Sequence, residues 1–417
     1  MKPPIIDLSD VPVIDQHCHM FLDEARNIDS SMLIRVMSLE AYNPDFVIPE
    51  ASVQEFVDNP SRVAQYGVEK RKEWEVYDRS IEAGQSSLLF VESQRAMSEF
   101  LKAENNIQSI LAKRNQRAAD LRSYAADLYK DARIRILILS DYRFRSTVGS
   151  PIQTKNKVVI HTVMFSALDK SSNLEEAIKA FEESLNEHVR NKGFVGMKSM
   201  IAYGGIRRGT GLDIGNPSES LVAQEFAAYK DSGGKIENHK IKNLEDFFTR
   251  RALERCITLD VPMEFHTGIG DLDVITDKCN PMLLGSLLKD ENLRKAKVIL
   301  LHGSYPYTAE AGWMAHFFPN VYLDASILFF THRRAAARKV EEALEMAPYS
   351  KLLYSSDGGV LPETHWFGAI SAKRSMEIAL QNLIEAETVS EKEAMELGER
   401  FFHKNAEKLF RLEPLSS

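Results

Sequence analysis

From residue 133 onward short β-branched apolar runs recur, and from Phe194 each is followed by helical sequence; this rhythm limits the chain's fold more than any other feature. The runs are Arg133–Asp141, Lys157–Phe165, Phe194–Tyr203, Val261–His266, Lys297–His302, Val321–Ala325 and Lys351–Asp357. An earlier run, Pro12 to Ile14, leads into Asp15-Gln-His17-Cys-His19. Between the runs lie amphipathic stretches such as Asn173–Lys192, where Leu174, Ala177, Ile178, Phe181, Leu185 and Val189 recur at helical spacing. Eight strands alternating with helices predict an α/β fold, a parallel (β/α)8 TIM barrel closed on itself. The same rhythm suits an open doubly wound sheet, but the Gly-x-Gly-x-x-Gly that marks one does not follow the first strand. Residues 22–132 have little strand character. Ser31–Tyr42, Val53–Tyr66, Lys70–Ala83 and Ser93–Ala132 favour helix, so this stretch is expected to be a helical insertion in a single domain of residues 1–417.

Barrels of this kind assemble their sites at the C-terminal ends of the strands. The first run delivers His17 and His19 there, on one face of an extended strand, with Cys18 turned to the other. The fourth carries Lys198, the fifth ends in His266, the sixth in His302 and the eighth in Asp357. Neutral imidazole nitrogens and one carboxylate are what a catalytic divalent metal needs, with zinc the first expectation. His17, His19, His266 and Asp357 are the candidate ligands, Asp357 also serving as proton acceptor. His302 is placed to stabilise the charge that develops on substrate. Lys198 has two readings: an anchor for a substrate carboxylate, or a carbamate bridging two ions, with His266 and His302 moving to the second. Arg207 and Arg208 could grip a carboxylate, and Tyr305 follows His302 closely enough to face substrate. Glu363 suits the charge of a helix N-terminus, and His161, mid-strand among apolar residues, suits the core.

The net charge of −8 comes without a basic cluster, which argues against nucleic acid as a partner. No window approaches the roughly 18 apolar residues of a membrane span, and the N-terminal residues do not resemble a signal peptide, so a cytoplasmic location is expected. Cys18, Cys256 and Cys279 are too few and too scattered for a disulfide framework. The expected partner is a small-molecule substrate. A homo-oligomer is expected as well, with the helical insertion as dimer surface or pocket lid.

Val13-Ile-Asp-Gln-His-Cys-His19, Gly196-Met-Lys-Ser199, Phe265-His-Thr-Gly-Ile-Gly-Asp271, His302-Gly-Ser-Tyr-Pro-Tyr307, Asn320-Val-Tyr-Leu-Asp324 and Ser355-Ser-Asp-Gly358 occur in order along the chain. In these motifs the chain resembles the amidohydrolase superfamily of metal-dependent barrels. Within it the chain is similar to the branch containing the N-terminal domain of fungal FluG and nodulin-like proteins. In that branch the barrel can be fused to a glutamine-synthetase-like portion, which is not expected here. Two loops depart from the branch pattern: Gly204 to Leu212 is longer than expected, and Gly359-Val-Leu361 stands where His-Trp-Phe is usual. The resemblance implies a hydrolase of a C–N bond in a small, carboxylate-bearing molecule, using metal-activated water. A decarboxylase on the same scaffold, or a sensing barrel without turnover, are the alternatives.

Overall fold

Eight parallel strands pair in chain order: β1 (Val13–Cys18), β2 (Ile134–Leu139), β3 (Gln153–Val159), β4 (Gly196–Ser199), β5 (Met263–Phe265), β6 (Val298–Leu300), β7 (Val321–Asp324) and β8 (Leu352–Leu353). The structure, a computed structural model, describes residues 6–38, 76–140, 149–204, 209–234, 237–271 and 274–415. Across the remaining seam, His19 N donates to Gly358 O at 2.7 Å, Asp357 N to His17 O at 3.0 Å and Leu22 N to Val360 O at 2.9 Å. The chain segments around β1 and β8 are thereby tied together, so the sheet curls into the expected barrel. A bulge in β1 opposes Asp15–Cys18 to Leu137–Leu139, one residue too many for simple alternation. As a result Gln16 and His17 both reach interior partners, Asp324 and Glu264, while Cys18 joins the outer core.

The barrel floor is apolar. Ile14, Ile136, Ile138, Ile299, Leu301 and Leu353 form one buried cluster with Leu409 and Phe410 of the last helix, Asn405–Phe410. That cluster plugs the barrel and leaves the C-terminal strand ends as the open face. The strands are shorter than the apolar runs that announce them, because the ends of the runs bend away to form the mouth. The third is also displaced. Lys157–Phe165 reads as strand, yet β3 begins at the polar Gln153, and Ile160–Lys170 is helix. Ile160, Met164, Ala167 and Leu168 are buried at helical spacing there, so the period of 3.6 prevails over β-branching. His161 therefore sits in a helix's first turn rather than mid-strand; it is buried as expected, and its Nδ1 accepts from Met200 N at 3.2 Å.

Between β1 and β2 run the described helices Ser30–Met37, Val76–Ser86, Leu88–Leu101, Ile107–Ala118 and Leu121–Asp131. The expected helix at Val53–Tyr66 lies outside the described residues. Asp29, Ser87, Asn106 and Asp120 each cap a helix N-terminus through the side chain. The insertion is fastened to the long helix Pro362–Glu385 by polar groups as well as by packing. Arg114 Nε donates to Glu363 Oε1 at 2.7 Å with both side chains fully buried, and Tyr124 Oη donates to the same oxygen at 3.0 Å. Glu363 thus anchors the insertion in addition to standing at a helix start. Trp366 Nε1 donates to Asp131 Oδ2 at 2.7 Å, and His365 bridges Tyr129 Oη and His19 O, both at 2.9 Å. His365 Nε2 must donate to the carbonyl, which leaves Nδ1 to accept from the tyrosine.

That network sets a pH dependence. Burial pushes His365 down to about 4 and His161 down to about 3. Between pH 6.5 and 4 the unfolded chain binds protons that these two folded sites refuse, so stability falls as pH drops through that window. Each histidine contributes about 1.4 kcal/mol per pH unit. In urea titrations from pH 7 to 4.5, His365→Gln, which can still donate to His19 O and accept from Tyr129, should lose one proton's worth of this slope. An unchanged slope would show that His365 titrates alike in both states.

No described helix is long and apolar enough to cross a membrane. None of the three cysteines is in a disulfide, and all three are buried.

Candidate metal centre and active site

The polar layer above the apolar floor determines how the histidines are held. Glu264 on β5 is fully buried; Lys157 on β3 donates to its Oε1, and His17 Nδ1 to its Oε2 at 2.9 Å. Burial works against the Glu264 charge, but Lys157 and His17 outweigh it and bring the carboxyl down to about 2. An ionised Glu264 fixes the His17 tautomer: Nδ1 carries the proton and Nε2 keeps its lone pair. On β7, Asp324 accepts from Gln16 Nε2 at 2.8 Å, Ser355 Oγ at 2.6 Å, His302 N at 2.9 Å and Ser326 Oγ at 2.7 Å. The Ser326 proton is committed to Asp324, so Ser326 Oγ accepts from His302 Nδ1 at 2.9 Å. His302 Nε2 is then the nitrogen with the lone pair. Burial also pushes the His302 pKa well below its ordinary value, so the ring is neutral at pH 7.

Above this layer the side chains converge on Asp357. Its Oδ1 lies 3.3 Å from His17 Nε2 and 3.6 Å from His19 Nε2, and its Oδ2 lies 3.7 Å from His302 Nδ1. His17, His302 and Asp357 form a compact donor group among the described residues, with His19 at the mouth, 30% exposed. Asp357 and His302 both have left-handed backbone, φ 48° and 69°, which non-glycine residues rarely adopt and which aims both side chains at one point. Burial disfavours the Asp357 charge, yet the imidazoles of His302, His17 and His19 around it hold its carboxyl well below the usual carboxylate range.

These residues fit a divalent ion. The lone pair of His17 Nε2 faces a carboxylate oxygen, an acceptor opposite an acceptor, and that arrangement calls for a cation. The His17 and His19 contacts of 3.3 and 3.6 Å are long for N–H···O bonds, which centre near 2.9 Å, but lie close to the edge of a tetrahedron with bonds of about 2.0–2.1 Å. A second buried group, Asp15, Cys18 and His365, offers nothing comparable: Asp15 accepts from Ser356 N and Oγ, and both His365 nitrogens are engaged.

His266 stands beside this cluster. Its ring centre is 4.4 Å from that of His302, and its Nδ1 is 2.9 Å from Tyr203 Oη. A Cβ at Gly270 would come within 2.6 Å of His266 Nε2, so only glycine leaves the ring this position. Lys198 on β4 is 2% exposed, and burial lowers its pKa to about 8, with Glu264 and Asp357 opposing the fall. It remains mainly an ammonium at pH 7. Tyr305 lies in the loop after β6, half-buried, with Lys339 Nζ 5.6 Å above its ring. Arg207 and Arg208 lie outside the described residues.

Glu264, Lys157, Ser326 and Tyr203 escape a reading that looks only for the last polar residue of each strand, and Asp324, which ends the apolar run of β7, has no role assigned from sequence. A signal exists for Glu264 as well, which interrupts an apolar strand two residues before His266.

A model of the amidohydrolase family matches residues 174–412, more than half of the chain, a stretch that leaves out His17 and His19. Protein fluG of Emericella nidulans is 29% identical over 248 residues, 57% of this chain but 28% of the relative, so the chain spans well under half of that protein. Among solved structures, a protein classed as a metal-dependent hydrolase from Lactobacillus casei superposes with a TM-score of 0.76 at 24% identity, covering 97% of both chains. Uronate isomerase from Thermotoga maritima gives 0.66 at 14% identity, covering 96% of this chain and 95% of the other. At these identities the structural likeness speaks for the fold.

Proposed function

Because the chain belongs to the amidohydrolase family, we propose that it is a metal-dependent hydrolase of an amide-type C–N bond in a small, carboxylate-bearing molecule. The observation that carries this reading is the convergence of His17, His19 and His302 on the Asp357 carboxylate at the open end of the barrel. We assign the ion to these four residues, with His266 adjoining, and take zinc as the metal a nitrogen-rich donor set favours. When bound, such an ion polarises the substrate carbonyl and makes water a nucleophile near neutral pH.

The side chains do the rest. Asp357, ionised at neutral pH, accepts the proton released by the attacking water and returns it to the departing nitrogen. His302 is neutral, and its Nε2 lone pair, left open because Nδ1 is held by Ser326, is the atom it would offer the ion. Asp324 and Ser326 hold His302, and Glu264 with Lys157 holds His17, so neither ring reorients during reaction. The buried, unbridged cysteines fit a reducing compartment, and we propose a cytoplasmic location.

Product analysis on a panel of N-acyl amino acids and small amides tests the reaction class. Metal-dependent release of amine, abolished by a chelator, is the expected result. Release of carbon dioxide would make the protein a lyase, and a product of unchanged mass an isomerase. Glu264→Gln preserves shape but frees the His17 tautomer, and it should weaken metal affinity about 10- to 100-fold in chelator competition. Undiminished affinity would remove Glu264 from the support of the site.

A further inference from the structure

Two lysines stand on neighbouring strands inside the barrel, and their surroundings differ. Lys157 donates to Glu264 Oε1 and to the Gln16 carbonyl, so its charge is matched by a carboxylate. Lys198 is aligned in register with Val159 on one side and with that same Glu264 on the other. Although 2% exposed, its Nζ has no hydrogen-bond partner among the described residues. A buried ammonium without acceptors is among the costliest groups a fold can hold, and a methionine of similar length would fill the strand position without that cost. Its register partner Glu264 holds His17 and lies two residues before His266, which sets Lys198 in the interior layer beneath the site.

The charges around it point the same way. Lys157 cancels Glu264, and Asp324 is satisfied by five hydrogen-bond donors. With a divalent ion on Asp357, the ammonium of Lys198 leaves the interior with net positive charge and one set of unused N–H donors. We propose that Lys198 works as a free ammonium that binds an anionic oxygen group of the substrate, a carboxylate. This rests on reading the cluster as the active site for a small molecule. It makes the substrate an amide that carries its own carboxylate, oriented by Lys198 with the scissile bond toward Asp357.

The test uses the full chain, purified with its metal, and two probes of one skeleton: succinamate, which carries a carboxylate, and succinamide, which does not. Calorimetry on the wild type should show succinamate binding about tenfold or more tightly than succinamide, as a charge-assisted contact requires. Lys198→Met should abolish the difference, leave succinamide binding and metal content unchanged, and raise Tm, because an unmatched buried charge is removed. Lys198→Arg should retain part of the preference. Equal binding of the two probes by the wild type would overturn the proposal. So would loss of metal from Lys198→Met, which would make the lysine a ligand-bearing group, or a fall in its Tm, which would make it structural. Inorganic phosphate displacing succinamate more effectively than acetate does would overturn the assignment to a carboxylate. Failure of the wild type to release ammonia from succinamate would count against hydrolysis while leaving every binding outcome readable.

Discussion

Asp357→Asn lowers turnover by about a thousand-fold while the protein stays folded and retains most of its metal. The size of the effect follows from losing a group that moves a proton in the rate-determining chemistry, which is typically worth about 10²–10⁴. Folding should survive because asparagine tolerates the left-handed backbone of φ 48° at this position. The amide keeps one oxygen for the ion but accepts no proton near neutral pH. The experiment compares the rate of amine release by wild type and variant, with metal content measured on the same preparations. Near-native turnover would remove Asp357 from proton transfer and leave it a ligand alone.

The second large effect lies away from the metal. Arg114→Ala leaves the Glu363 carboxyl fully buried without its guanidinium, with Tyr124 as its remaining partner of the two. Removing one member of a buried ion pair costs about 3–5 kcal/mol, far more than the net contribution of the intact pair. Urea denaturation should show that loss, and proteolysis should begin within Leu88–Asp131 before the barrel is cut. Replacing both residues by apolar ones of similar volume should restore much of the stability. A loss under 1 kcal/mol in Arg114→Ala would mean that packing alone holds the insertion against Pro362–Glu385.

The barrel was legible because the strands are short apolar runs and, from Phe194 onward, each is followed by helical periodicity, two signals that agree to the end of the chain. Where they conflicted the reading failed: Val158-Val159-Ile160 is β-branched, but the burial of Ile160, Met164 and Leu168 makes the second half of that run a helix. The mouth residues were legible for the same reason, since His17, His19, His302 and Asp357 each follow an apolar run and meet in space. Their supports were not. Glu264 and Lys157 face each other across β3, β4 and β5, and a pairing between residues more than a hundred positions apart leaves no local pattern. The bulge in β1 was hidden too, because it depends on the register against β2 and not on composition. Glu363 looked like a helix N-terminal charge, and its partner Arg114 comes from an insertion helix that nothing in the sequence places beside it.

The most direct measurement is the metal content of protein purified without chelator, for wild type and His17→Ala. The account predicts about one equivalent of a divalent ion per chain in the wild type, falling below a tenth in the variant, with secondary structure retained. Wild-type protein that neither carries nor rebinds a divalent ion, or a His17→Ala variant that keeps a full equivalent, would contradict it.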